Sequence, residues 1–122
     1  MDLYRELIIQ LYKNPLNKRE IKDAQITHSG ANITCGDHVR IYAKLSGDKK
    51  TVIDCSFEGR GCAISIASAS LLTEELKGKT IAHAGQLKLS DIEEWLGTEL
   101  GPSRAKCGIL ALETLQEGIN RH

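Results

Sequence analysis

The four cysteines of this 122-residue sequence are its residues best equipped for chemistry, and they are not alike. Cys55 falls between Ile53 and Phe57 in an alternating stretch, where a small buried hydrophobe is the expected role. Cys35, Cys62 and Cys107 instead each adjoin a glycine, in Thr34-Cys35-Gly36-Asp37, Gly61-Cys62-Ala63 and Lys106-Cys107-Gly108. Glycine lets the backbone approach a bound group closely. Cys62 and Cys107 fall near expected helix starts, with Arg60, Arg104 and Lys106 beside them. Both settings favour thiolate over thiol, the form that binds metals and attacks sulfur electrophiles.

Asp37 stands two positions from Cys35 and can bring an oxygen to the same place as the sulfurs. Three thiolates and a carboxylate would fill a tetrahedral shell. Yet 26 residues separate Cys35 from Cys62, 44 separate Cys62 from Cys107, and there is no C-x-x-C knuckle. Spacing alone therefore leaves two arrangements open: a shared metal site, or three unconnected thiols with Asp37 as a turn or capping residue. His28, His38, His83 and His122 form no paired ligand motif and read as surface or satisfied polar groups.

Composition narrows the function further. Sixteen Lys and Arg balance sixteen Asp and Glu, and one Trp, one Phe and three Tyr are too few for a base-stacking platform, so no nucleic-acid partner is expected. No apolar run approaches the ~20 residues that cross a bilayer, and the N-terminus lacks the pattern of a secretory signal. The expected protein is soluble and cytoplasmic, with no membrane partner and with reduced cysteines. Its length fits one domain over residues 1–122.

The elements that must position these residues follow from periodicity. Leu3, Leu7, Ile8 and Leu11 predict an amphipathic helix stopped at Asn14-Pro15. Residues 16 to 22 are polar, and Ala24 to His28 predict a short first strand ending at Ser29-Gly30. Val39, Ile41, Ala43 and Leu45 alternate with a wet face of Arg40, Tyr42 and Lys44. A turn at 46–50 leads to a second alternation from Thr51 to Phe57, with Ile53, Cys55 and Phe57 facing the core. A helix rich in small residues starts at or just after Cys62 and is closed by Gly78. Ser90-Asp91-Ile92-Glu93 has capping-box form and opens a short helix through Leu96, and a last helix follows Pro102-Ser103. Strands first and helices afterwards predict an α+β fold, a small antiparallel sheet of about three strands packed against helices.

Taken together, Cys35-Gly36-Asp37, Gly59-Arg60-Gly61-Cys62-Ala63-Ile64-Ser65-Ile66-Ala67-Ser68-Ala69-Ser70 and Arg104-Ala105-Lys106-Cys107 resemble the IscU, SufU and NifU N-terminal family of iron-sulfur cluster assembly proteins. The likeness covers nearly the whole chain. It implies the SufE/NifU-like α+β fold, with the cysteines and the aspartate converging at one exposed end. It also implies that Cys35, Asp37, Cys62 and Cys107 hold iron or a labile [2Fe-2S] cluster, or zinc in the cluster-free form. Cys107 is then the persulfide acceptor, with Arg104 and Lys106 beside it and Lys106 expected to offset the negative charge of the site. The implied partners are a cysteine desulfurase of the IscS/SufS kind and apo iron-sulfur acceptor proteins. Where the bacterial IscU branch has Leu-Pro-Pro-Val-Lys, this chain has Leu100-Gly101-Pro102-Ser103-Arg104, which leaves a chaperone or frataxin partner open.

The branch is mixed. IscU-type scaffolds have a histidine before the last cysteine, whereas Lys106 stands here, as in SufU-type proteins. SufU-type proteins usually carry an insertion between the second and third cysteines, whereas the segment from Ala63 to Lys106 has the shorter IscU length. The resemblance thus implies a cluster-building scaffold or, alternatively, a zinc-dependent sulfurtransferase that relays persulfide sulfur without carrying a cluster.

Overall fold

A computed structural model describes residues 3–122. Its elements run α1 (Leu3–Lys13), β1 (Ile26–Asn32), β2 (Asp37–Leu45), β3 (Val52–Arg60), α2 (Ala63–Leu76), α3 (Ile81–Gln86), α4 (Leu89–Leu96) and α5 (Pro102–Arg121). The strands form one antiparallel sheet in the order β1-β2-β3. This is the α+β arrangement that the order of strands and helices predicts.

Period two in β2 decides which face is covered. Val39, Ile41, Ala43 and Leu45 are all buried, and α2 and α5 pack on the sheet. The small residues of α2 have a packing reason. Ala67, Ser68, Ala69 and Ser70 are all buried, because the helix is enclosed by β3, α1 and α5. Phe57, Ile41, Leu72 and Leu112 are at most 1% exposed. Side chains of this size stabilise a fold by about 2 to 3 kcal/mol each when removed from water.

Several local expectations give way to tertiary structure. β1 does not stop at Ser29-Gly30 but continues to Asn32, because Gly30 lies against α5: a Cβ there would be 2.1 Å from Thr114 Oγ1. In β3, Cys55 and Phe57 face the core as predicted, but Ile53 is 52% exposed. The register slips between Lys44, paired with Asp54, and Leu45, paired with Val52, and this irregularity puts Val52 in the core instead. Tyr42, expected on the wet face, is buried: Arg40 lies 5.8 Å over its ring and its hydroxyl donates to Glu58. The polar stretch after α1 runs along the sheet edge, where Lys18 bridges Phe57 and Arg19 pairs with Asp54. α4 starts at Leu89, one residue before the predicted cap, with Asp91 accepting from the Lys88 N–H. The short α3 carries too little periodicity to be read from sequence.

Candidate metal centre

Two connections and one helix bring the chemistry-bearing residues together. Cys35 sits on the β1–β2 turn, where its N–H donates to the Asn32 carbonyl at 3.2 Å and Gly36 takes φ +72°, a conformation that favours glycine. The next residue, Asp37, is the first of β2, opposite Asn32. Cys62 is the N-cap of α2, between the end of β3 and the helix. Cys107 is the sixth residue of α5, so it lies in the second turn and not at the helix start that the sequence suggests.

Asp37 organises the site. It is completely buried, and its Oδ1 accepts the Cys62 backbone N–H at 2.9 Å. Gly61 makes that approach possible, since a Cβ there would come within 2.3 Å of Oδ1. The other oxygen, Oδ2, is buried and has no hydrogen-bond partner. A carboxylate oxygen in that condition is costly unless something positive meets it.

The sulfurs supply the rest. Cys35 Sγ and Cys107 Sγ are 3.5 Å apart, and ligand atoms of Cys35, Asp37 and Cys107 all lie within 4.8 Å of one another. Two thiolates bound at about 2.3 Å in a tetrahedral shell would stand about 3.8 Å apart, so the pair needs only a small adjustment to share an ion. Cys62 Sγ lies outside this set and is directed to Ser65 Oγ at 3.7 Å, although its backbone is tied to Asp37. The three-member set of two sulfurs and one oxygen fits a zinc or iron ion with one position left to fill, and Cys62 is the nearby thiol able to fill it by turning its side chain.

Electrostatics correct one expectation. Helix start and neighbouring cations predict a depressed thiol pKa at Cys107, but the structure raises it. Burial is the first cause, followed by the proximity of Asp37, Cys35 and Cys62. Without a cation beside it, Cys107 therefore resists ionising. Cys55 is buried elsewhere, on the core face of β3, where burial pushes its thiol up to about 12.

Cys35 and Cys62 are exposed and Cys107 opens on the same cleft of about 460 Å³, which Tyr4, Ile8 and Ile9 of α1 wall on one side. Sequence reasoning missed the contribution of α1, because an apolar stripe reads as core. Arg104 lines this cleft, whereas Lys106 lines a different groove with Asn32, Leu89 and Glu113. Of the two cations flanking Cys107 in sequence, Arg104 is the one on the cleft, and Arg5 of α1 lines it too.

With this geometry in view, the sequence matches the NifU-like N terminal domain over residues 3–122. The chain belongs to that family. Among its relatives, the zinc-dependent sulfurtransferase SufU of Bacillus subtilis is 39% identical over 96% of this chain and 89% of its own. The iron-sulfur cluster assembly scaffold protein IscU of Haemophilus influenzae is 37% identical over 95% of this chain and 92% of its own. The crystal structure of FiSufU from Fervidobacterium islandicum AW-1 superimposes with a TM-score of 0.74 at 30% identity, covering 93% of this chain and 94% of that one. The alignment with the Bacillus protein spans 134 positions, more than the 122 residues present here, so that relative carries residues without a counterpart. The alignment with the Haemophilus protein spans 119. Both scaffold and sulfurtransferase therefore stand among the relatives of this NifU-like domain.

Proposed function

We propose that this NifU-like domain is a scaffold that receives sulfur on Cys107 from a cysteine desulfurase, holds iron on Cys35, Asp37, Cys62 and Cys107, assembles a labile [2Fe-2S] cluster there and transfers it to apo-proteins. The observation that carries this reading is the unpartnered, buried Asp37 Oδ2 beside two sulfurs 3.5 Å apart. Iron and the finished cluster are cargo, so the site must bind and also let go. A carboxylate in place of a fourth thiolate is a harder ligand for iron and more readily displaced, and the open cleft lets ligands exchange. Arg104 offsets part of the negative charge that accumulates as thiolates and sulfide gather.

The reading is tested by anaerobic reconstitution with ferrous iron, cysteine and a desulfurase. A thiolate-to-iron absorption band with acid-labile sulfide is expected, and its absence overturns the scaffold reading.

A second reading, a zinc-bound sulfurtransferase, is supported by Lys106 at the position before the last cysteine and by the 39% identity with the Bacillus sulfurtransferase. The same residues would hold zinc, which supplies a Lewis acid that keeps thiolates deprotonated. The readings separate on whether the zinc-loaded protein, free of iron, accelerates desulfurase turnover.

A further inference from the structure

We infer that Cys35 is the thiol that releases sulfide from a persulfide on Cys107, in metal-free protein, by forming a Cys35–Cys107 disulfide. The inference rests on the reading that Cys107 accepts sulfur, and it adds the step that turns sulfane sulfur into the sulfide a cluster needs.

The geometry singles out one pair. Cys35 Sγ and Cys107 Sγ are 3.5 Å apart although they lie 72 positions apart in sequence. A disulfide at about 2.0 Å requires a closure of about 1.5 Å. The two partners differ in freedom. Cys107 is fixed on α5, whereas Cys35 is exposed on a turn tied by two backbone bonds, at 3.2 and 3.3 Å. The turn is the side that moves. Cys62 is the other thiol lining the cleft, but its sulfur lies outside the close set and is directed toward Ser65.

The step balances without an outside reductant. A persulfide donor first places a sulfane sulfur on Cys107. Cys35 loses its proton to solvent, and its electron pair forms a bond to Cys107 Sγ. The bond from Cys107 Sγ to the outer sulfur breaks, and that sulfur leaves with its hydrogen as hydrosulfide. The outer sulfur is reduced by two electrons, and the two cysteine sulfurs together are oxidised by two. Arg104 lines the cleft into which the anion departs. A second turnover needs a dithiol reductant to reopen the disulfide.

The test uses the full chain, stripped of metal under argon, loaded with glutathione persulfide and desalted at once. Released sulfide, intact mass and the peptide map are followed with no added thiol. The wild type is expected to release one sulfide per loaded chain and to finish about 2 Da lighter than the dithiol form, with Cys35 joined to Cys107. Cys35→Ser is expected to keep an adduct of about 32 Da on Cys107 and to release sulfide at least about tenfold more slowly. A wild type that keeps its adduct as long as Cys35→Ser, or a disulfide that maps to Cys62, overturns the inference alone. If Cys35→Ser never carries an adduct on Cys107, the sulfur-acceptor reading fails and the inference with it. The mass of the wild-type product decides the matter even if a variant folds poorly.

Discussion

Asp37 does two things with one carboxylate: Oδ1 caps the backbone at Cys62, and Oδ2 waits without a partner beside the thiols. Replacing Asp37 with Ala should therefore lengthen the life of a cluster on the protein, by slowing its transfer to a chelator or acceptor, while costing about 1 to 3 kcal/mol through the lost charged hydrogen bond. The decay of cluster absorption and a urea titration measure the two effects separately. An unchanged lifetime removes the argument that the carboxylate provides lability. Gly61→Ala should act on the same group indirectly, because the added Cβ would sit 2.3 Å from Asp37 Oδ1. Zinc affinity, measured against a chromophoric chelator, should fall about 10- to 100-fold, as it does when a supporting group of a metal site is disturbed. Glycines next to thiols and an aspartate two positions from Cys35 singled out Cys35, Asp37, Cys62 and Cys107, but spacing left open whether they meet, because contacts across 26 and 44 intervening residues leave no local signal. The elevated pKa of Cys107 was not legible, because neighbouring charge is local in sequence whereas burial is not.

At the scale of elements, the seam between β1 and α5 decides where Cys107 stands. Gly30 meets Thr114 along this seam, and Gly118 meets His28. Gly30→Ala should cost about 1 to 3 kcal/mol by overpacking and should also weaken zinc binding, since α5 carries Cys107 away from Cys35 as it yields. Thr114→Ala in the same chain removes the clashing oxygen and should restore part of both losses, which a double-mutant cycle reads directly. This seam also explains why Ser29-Gly30 misleads: a glycine chosen for close approach looks like one chosen for a turn. β2 and α5 were legible from their periodicity, and α2 from its long run of small residues closed by Gly78. Ile53 was misplaced because one irregular step in the β2–β3 register reverses which neighbours face inward.

For the molecule as a whole, the buried apolar cluster contains none of Cys35, Asp37, Cys62 and Cys107. The metal-free chain should therefore remain folded and melt cooperatively, with a midpoint about 5 to 15 °C below the zinc-loaded form, the difference being the linkage of binding to folding. Loss of far-UV circular dichroism on chelation would instead make the metal structural. Alkaline pH should loosen the fold for a separate reason. The Cys55 thiol, ordinarily at 9.0, is held up to about 12 by burial, so the folded state binds that proton more tightly than the unfolded chain does. Its contribution is complete below 9.0 and is lost as pH rises toward about 12. The urea midpoint of reduced protein should fall between about pH 8 and 10.5, and less steeply in Cys55→Ala. Finally, α5 follows every other described element and alone delivers Cys107. If the proposed ligands hold an ion, a chain that has emerged from the ribosome only as far as Leu100 would offer Cys35, Asp37 and Cys62 but lack Cys107, so an ion met during translation would find an incomplete shell.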